Sequence, residues 1–557
     1  MYYRLLNLLF FFCIFLYQSA RAQLLSWGHS TGNSANEYQN SIAADAAGNT
    51  YTSCSFVDTI DADPGPGIQT LISAGESDTY VAKFNEAGTM VWTFAISGTG
   101  SSEAEIWADA AGNLLVAGNF TQTIDVDPGP GSVLLSDAGM AMFIARYDAT
   151  GQLLWAKKAA GGSNYLTMFD ITGDAAGNLY FTGALSGNAV DFDPGLAVYP
   201  LGVGSDWSEF ILKLDASGNF SWARVKLSAV SGSANYAYSI ATDPSGNVYT
   251  TGFLDGTVDF NSGAGVFNLT ANGLCDAYLC KLDASGNFIW AIRTGSGPGQ
   301  ELGKGVEVDA AGNIYTTGLF EQTNDFDPGI GIVQVTAVGF ADAFITKYNS
   351  SGVLQWVKTI GGHTGNEMVL PTDLAMDAAG NLYSTGLFLG GTVDFDPGSG
   401  VYDLTPAAGV RHTFFSKLNN NGTFIMAGSI EGGDNLSDKI TTDGCGTIYL
   451  SGMFAGTIDA EPSTSYNPVI SATGSNDLYF LKLSQSFWTG NVSTDWHDPL
   501  NWACNTVPGV RSNVIIPTGA IRFPFVFSNA EIESITVKPT ASVEVATGVE
   551  LKVNSGN

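Results

Sequence analysis

The chain has 557 residues, with 53 acidic side chains against 22 basic ones and a formal net charge of −31. Such a surface repels nucleic acid and anionic membranes and favours cations or basic partners. Only 13% of residues are charged, while glycine occurs 68 times and aromatics make up 12%, a composition of turn-rich β structure and not of a disordered acidic tail.

The N-terminus carries Arg4, an apolar run from Leu5 to Tyr17 and a small-x-small sequence, Ala20-Arg21-Ala22, before Gln23. These features read as a signal peptide over 1–22, too short an apolar run to span a bilayer. Its removal takes two basic residues and no acidic one, leaving a net charge of −33. The mature chain is expected to be exported, extracellular or on a bacterial cell surface, without a transmembrane span. Cys54, Cys275, Cys280, Cys445 and Cys504 then remain, an odd number without CxxC spacing. They read as buried free thiols and not as a disulfide framework or zinc site.

Asp-Ala-Ala-Gly-Asn or a close variant begins at Asp45, Asp109, Asp174, Asp243, Asp309, Asp377 and Asp443, at intervals of 64, 65, 69, 66, 68 and 66 residues. Each unit reads as four strands. A short first strand of small residues, such as Ser41 to Ala44 or Gly305 to Val308, runs into the Asp-x-x-Gly-Asn turn, where Asp bonds its own backbone and Gly accepts positive φ. The second strand follows, as in Ile314 to Phe320, then a longer connection with Asp-x-Asp-Pro-Gly, then a third strand such as Asp342 to Tyr348. A second tight turn, Asp283 to Asn287 in one unit, leads to a fourth strand such as Phe288 to Ala291. Four-strand meanders repeated at this period predict propeller blades, and their stacking predicts apolar or small residues on both faces of every inner strand.

Fourth strands contain Trp92, Trp155, Trp222, Trp290 and Trp356, with Met426 in the sixth unit, but the seventh unit ends near Leu483 without one. The missing strand stands at the other end, around Trp27 in Leu24 to Gly28. The expectation is a seven-bladed all-β propeller over 23–485 whose N-terminal strand completes the last blade and covers an open edge. The sequence Asp-Ala-Ala-Gly-Asn-x-Tyr-x-Thr-Gly, followed by Asp-Phe-Asp-Pro-Gly and Asp-Ala-Phe-x-x-Lys-Tyr, resembles the bacterial β-propeller repeat (SBBP repeat) family. That resemblance implies an exported, often cell-surface protein and brings no defined activity.

From Phe487 the pattern changes to Trp488-Thr489-Gly490, Asp495-Trp496 and Asn501-Trp502, followed by alternating runs such as Ile535 to Val537 and Val543 to Val545. Residues 486–557 resemble a Trp/Asn-rich β module common near the C-termini of large bacterial surface proteins, and the resemblance implies a β-rich unit with a solenoid-like tail. The chain stops after one or two short rungs, which reads as a truncation or as export by a route without a sorting domain.

No catalytic set is legible. Gly28-His29-Ser30-Thr31-Gly32 matches the G-x-S-x-G elbow, but it is expected in a loop with no helix after it. Pro298 and Gly305 stand where a phosphate loop needs Gly and Ser or Thr. The histidines, His29, His363, His412 and His497, are scattered and read as surface residues. Glu301, Lys304, Arg411 and His412 depart from their repeat positions without composing a recognisable set.

The Asp-x-Asp-Pro-Gly element supplies five acidic pairs: Asp61 and Asp63, Asp125 and Asp127, Asp191 and Asp193, Asp325 and Asp327, and Asp394 and Asp396. Asp259 with Asn261 and Asp459 with Glu461 are variants. On extended backbone residues i and i+2 point the same way, so paired carboxylates form a candidate Ca²⁺ site. The competing reading, which seven near-copies favour, is a turn whose acids cap backbone amides. Alternate connections of a meander fall on alternate faces, so both tight turns share one face and the Asp-Pro-Gly connections share the other with the inter-blade loops. A ligand is expected on that second, acidic face. The leading function is a non-enzymatic binding or adhesion protein, monomeric, with an extracellular protein or glycan as partner and no nucleic acid. A glycan-active hydrolase or lyase and a calcium-stiffened structural repeat are the alternatives.

Overall fold

The computed structural model describes residues 24–32, 37–163, 165–187, 190–202, 204–228, 232–295, 297–443, 446–460, 469–484, 486–502, 507–508, 513–516, 520–532, 534–537 and 540–553. The leader, Cys445 and Cys504 lie outside the described residues. Cys54, Cys275 and Cys280 are buried free thiols.

Seven inner strands, Tyr38–Ala44, Ser102–Ala108, Tyr165–Gly173, Asn235–Thr242, Glu301–Val308, Met368–Met376 and Asn435–Thr442, each open a four-stranded antiparallel meander. Each inner strand packs beside that of the next blade, and the seventh returns to the first. The protein is a seven-bladed β-propeller. In the seventh blade the third strand, Asp477–Ser484, pairs with Leu24–Thr31, from Leu24 opposite Ser484 to Thr31 opposite Leu478. The N-terminal strand thus occupies the outer position of the last blade, and Trp27 stands opposite Lys482 as Trp92 stands opposite Lys83. One expectation is corrected here: Gly28 to Thr31 are not a loop but strand residues facing Leu481 to Leu478, and a residue held in a ladder cannot form a nucleophile elbow.

Every position of the repeat motif has a physical task. Asp377 Oδ1 accepts the amides of Ala379 and Asn381, and its Oδ2 accepts Asn381 Nδ2 and the Tyr383 hydroxyl at 2.8 Å each. Tyr383 is fully buried, so this bond removes the cost of a phenol stripped of water. Blade two has Leu115 in place of that tyrosine, and there the Arg146 guanidinium takes Asp109 Oδ2 instead.

The same residues fasten neighbouring blades. Trp92 Nε1 and Lys83 Nζ both donate to the Ala149 carbonyl of the following blade, at 3.2 and 3.1 Å. Trp222 and Lys213 treat the Ala284 carbonyl in the same way, and Trp27 and Lys482 carry the pattern across the closure to Glu86. The turn glycine that follows stacks on the indole. At Gly88, with φ +79°, a Cβ would come within 2.7 Å of Trp27, so backbone sign and space both require glycine. On the opposite face the Asp-x-Asp-Pro-Gly connections form short arms that pair with the outer strand of the preceding blade, for example Ser97 opposite Asp125 and Gly361 opposite Asp394.

Beyond Ser484 the pairing turns parallel. Ser486–Phe487, Asn513–Ile516 and Ser534–Val537 lie side by side, as do Phe525–Val526 with Glu544–Val545 and Ala530–Ile532 with Leu551–Val553. These are solenoid-like rungs. Trp488, Trp496 and Trp502 are buried beneath them, edge to face, with centroids 5.0 and 4.7 Å apart. The Asn501 side chain accepts the amides of Val492 and Ser493 and donates to the Asp495 carbonyl, which explains why tryptophan and asparagine recur together.

Removing residues 24–31 exposes the edge of Asp477–Ser484 and breaks the junction to Glu86, so the thermal transition should fall markedly. Trp27→Ala should cost about 2 kcal/mol in lost packing and one hydrogen bond. An unchanged melting curve for the deletion would refute closure by the N-terminal strand.

Candidate functional site

The acidic pairs singled out by the sequence lie one per arm around the rim. In the sixth blade Asp394 Oδ1 accepts the amides of Asp396 and Tyr402, and Asp396 Oδ1 accepts that of Gly398, all within 2.8 to 2.9 Å. The first acids of the other pairs do the same. Asp61 accepts the amides of Asp63 and Gln69, Asp125 those of Asp127 and Val133, Asp191 those of Asp193 and Tyr199, and Asp325 those of Asp327 and Val333. The second acids, Asp63, Asp127, Asp193 and Asp327, each turn Oδ1 onto the glycine amide two residues on, at Gly65, Gly129, Gly195 and Gly329.

These bonds are those of the turn reading, in which the acids cap backbone amides. In each pair, the Oδ1 atoms of Asp61 and Asp63, Asp125 and Asp127, Asp191 and Asp193, Asp325 and Asp327, and Asp394 and Asp396 cap backbone amides of their own arm. Among the described residues no group of three or more His, Cys, Asp or Glu side chains is placed to hold a metal ion. The turn itself brings these amides to each carboxylate. In the variant arm Asn261 accepts the Gly263 amide as the second aspartates do, so the turn needs an oxygen acceptor and not a charge.

The place where blades differ from one another is the axial channel. In blades one and three to seven the inner strand contains a β-bulge, at Asn40, Phe169, Tyr238, Lys304, Thr372 and Asp438, and blade two pairs without one. A bulge leaves one residue out of the ladder and re-aims its side chain. Phe169, Tyr238, Lys304, Thr372 and Asp438 accordingly line one cavity of about 310 Å³, together with Glu103, Glu105, Asn119 and Lys439. A second cavity of the same volume continues toward the tight-turn face between all seven inner strands, with Asp170, Glu307 and Asp373 in its wall and Lys439 shared between the two.

Lys439 stands at the waist, its Nζ 3.6 Å from Glu105 and 3.7 Å from Asp170. Burial works to lower its pKa, but Glu105, Asp170 and Asp373 outweigh burial and hold it above the ordinary lysine value. Burial pushes the Glu105 carboxyl up to about 8 against the pull of Lys439, and Glu307 to about 8 with Asp373 and Asp170 adding to the effect. Asp373 rises to about 6 and Asp438 to about 7, again from burial opposed by Lys439. Asp170 and Asp373 also brace the ring, accepting the amides of Ile240 and Ile440 in the next blade. Toward the mouth Phe169 and Tyr238 pack at 5.0 Å, and Tyr236, Trp207 and the exposed Tyr165 extend the aromatic surface outward. Lys304 Nζ sits 3.6 Å above the Tyr238 ring, and burial lowers its pKa to about 8.

These charged residues correct the expectation that both faces of inner strands are apolar or small. The side of the strands turned to the axis faces the channel, not a neighbouring blade, and so has room for polar groups. The signal was available: counted back four places from the turn aspartate, the repeats read Ser41, Glu105, Asp170, Ser239, Gly305, Asp373 and Lys439. Of the four departures noted in the sequence, Lys304 alone reaches this channel among the described lining residues. Arg411 pairs with Asp434 at the surface, and Glu301 is buried beside Asn324. The histidine expectation also needs correction. His412 is buried against Phe388, which lowers its pKa, and His29 is partly buried with a 2.6 Å bond to the Gly88 carbonyl.

Two outcomes are expected. Asp394→Ala should cost about 1 to 2 kcal/mol by leaving two arm amides unmet, while melting with and without EDTA should give one transition temperature. A drop on chelation would restore Ca²⁺ as the element that holds the arms. Glu307 has a native pKa of about 8 against an ordinary value near 4.5, so the native state binds its proton more tightly and stability falls as pH rises through that window. Glu307→Gln should therefore raise the melting temperature at pH 8 and leave it nearly unchanged at pH 4.

The model of a domain of unknown function (DUF8693) matches residues 487–556. An uncharacterized WD repeat-containing protein, L264, of Acanthamoeba polyphaga mimivirus is 23% identical over 437 residues, 66% of this chain, and the match spans 31% of that protein's length. A solved structure of a polysaccharide lyase, an ulvan lyase, covers 82% of this chain and 96% of its own at 12% identity and a TM-score of 0.38. A protein of unknown function from Dyadobacter fermentans covers 83% and 99% at 10% identity and a TM-score of 0.35. A gluconolactonase from Xanthomonas campestris covers 65% and 84% at 15% identity and a TM-score of 0.27.

Proposed function

We propose that this is an exported, non-enzymatic binding protein that takes its ligand into the axial channel from the face bearing the Asp-Pro-Gly arms. The observation that carries the reading is the contrast between ring and channel. Turns, arms and inter-blade junctions repeat from blade to blade, whereas the bulge positions carry an aromatic ring, a second aromatic ring, an ammonium, a hydroxyl and a carboxylate in succession. Residues that serve the scaffold can be alike in every blade, and residues that recognise one asymmetric ligand must differ. A pocket with aromatic rings beside several convergent charged groups suits recognition of a polar ligand. The leader and the SBBP-like repeat support an extracellular or cell-surface setting, with a protein or glycan as the source of the ligand, and Ca²⁺ is not required for this reading.

Glu105 and Glu307, with carboxyls near 8, favour a second reading, a glycan-active hydrolase or lyase using them for proton transfer. The two readings separate on one variant, since Glu105→Gln would abolish turnover of a bound glycan under the second and turnover is absent under the first.

On a glycan and protein binding array, Phe169→Ala and Tyr238→Ala should lose the ligand that the parent chain retains, while Glu86→Lys, Ser217→Lys and Ser351→Lys on the tight-turn face should keep it. Loss confined to the tight-turn variants would overturn the proposal.

A further inference from the structure

Two partly buried charged side chains in the upper cavity make no hydrogen bond or ion pair with a described residue. Asp438 Oδ2 is sealed from solvent and meets no hydrogen-bond donor. Lys304 lies over the face of Tyr238 and makes no ion pair with any described residue. The other acidic groups of this cavity have partners: Glu103 accepts Asn119 Nδ2 at 2.7 Å, and Glu105 faces Lys439. Both unmatched groups arrive by the same device, since each is the bulged residue of its inner strand, in blades five and seven, with Thr372 of blade six between them. Thr372 is itself occupied, donating to the Ser437 carbonyl at 2.9 Å.

A carboxylate with one oxygen sealed and without a donor, and a half-buried ammonium without an acceptor, each lose hydration that an ionic partner would offset. A ligand with one charge would satisfy one and worsen the imbalance for the other. We propose that the upper channel binds a small zwitterion, its protonated amine on Asp438, its carboxylate on Lys304 and its carbon skeleton against Phe169 and Tyr238. A volume of about 310 Å³ lies at the small end of the roughly 300 to 1,000 Å³ of small-molecule pockets. The inference rests on the channel reading above and specifies its ligand class. An anionic ligand is disfavoured by Glu103, Glu105 and Asp438 in the wall, and a simple cation leaves Lys304 unmatched.

The test is titration calorimetry of the full mature chain with glycine, 4-aminobutyrate and 6-aminohexanoate, which scan the separation of the two charges, and with butylamine and butyrate as single-charge controls. At least one zwitterion should bind at least tenfold more tightly than either control. Asp438→Asn should reduce it to the level of butyrate and Lys304→Met to that of butylamine. Butylamine matching the best zwitterion on the unaltered chain would overturn the inference, and this comparison needs no variant. So would binding unchanged in both variants. A neutral or singly charged ligand whose binding still requires Phe169 and Tyr238 would overturn the zwitterion while leaving the channel reading intact. A ligand indifferent to those two rings would overturn both.

Discussion

Closure of the last blade by the first strand is the constraint on which the other features depend. A ring of stacked sheets has no terminal caps, so any open strand edge or missing junction would let neighbouring blades splay apart. With Leu24–Thr31 beside Asp477–Ser484, the first and last strands of the propeller meet in one sheet, and Trp27 and Lys482 then reach across to Glu86 of the first blade. The blades become a continuous circle in which each junction is supported by two others.

Once the circle is fixed, the two faces and the axis acquire different tasks. The tight-turn face holds the junctions: a carbonyl receiving tryptophan and lysine, a glycine under the indole, and an aspartate satisfied by asparagine and tyrosine. The arm face holds the outer clasps, shaped by aspartates that accept backbone amides. The axis remains, where inner strands have one side without a neighbour. Bulges there turn out residues that an unbroken ladder would have pointed between blades, and this frees the channel to differ while the scaffold repeats.

Carboxyls near neutrality and one lysine held in its charged form share a space of a few hundred cubic ångströms. That concentration of charge is a burden on folding, since each buried acid would be more stable in water. The rigid ring tolerates it because stabilising contacts lie elsewhere, in the aromatic layers between blades, where Tyr51, Tyr180, Tyr249, Tyr315 and Tyr383 are fully buried. A site that opposes local stability while the surrounding repeat supports it is the usual division between function and scaffold.

The sequence by itself determined the blade count, the strand order and the closure. The turn aspartates recur at a nearly fixed interval, and the Trp27 strand is the one fourth strand out of place. These properties are written in local spacing, because a hairpin needs its turn residues at set positions. The sequence also allowed the Asp-x-Asp-Pro-Gly carboxylates to be weighed as caps or as cation ligands, and only the folded arms revealed the amides that Asp125 and Asp127 accept. The departures at the inner-strand positions were legible in the repeats, but their convergence into one channel was decided by tertiary structure. Phe169, Tyr238, Lys304, Thr372 and Asp438 lie in different repeats, at positions whose direction depends on a bulge that no turn signal marks, and they become one surface only when seven inner strands converge on a common axis.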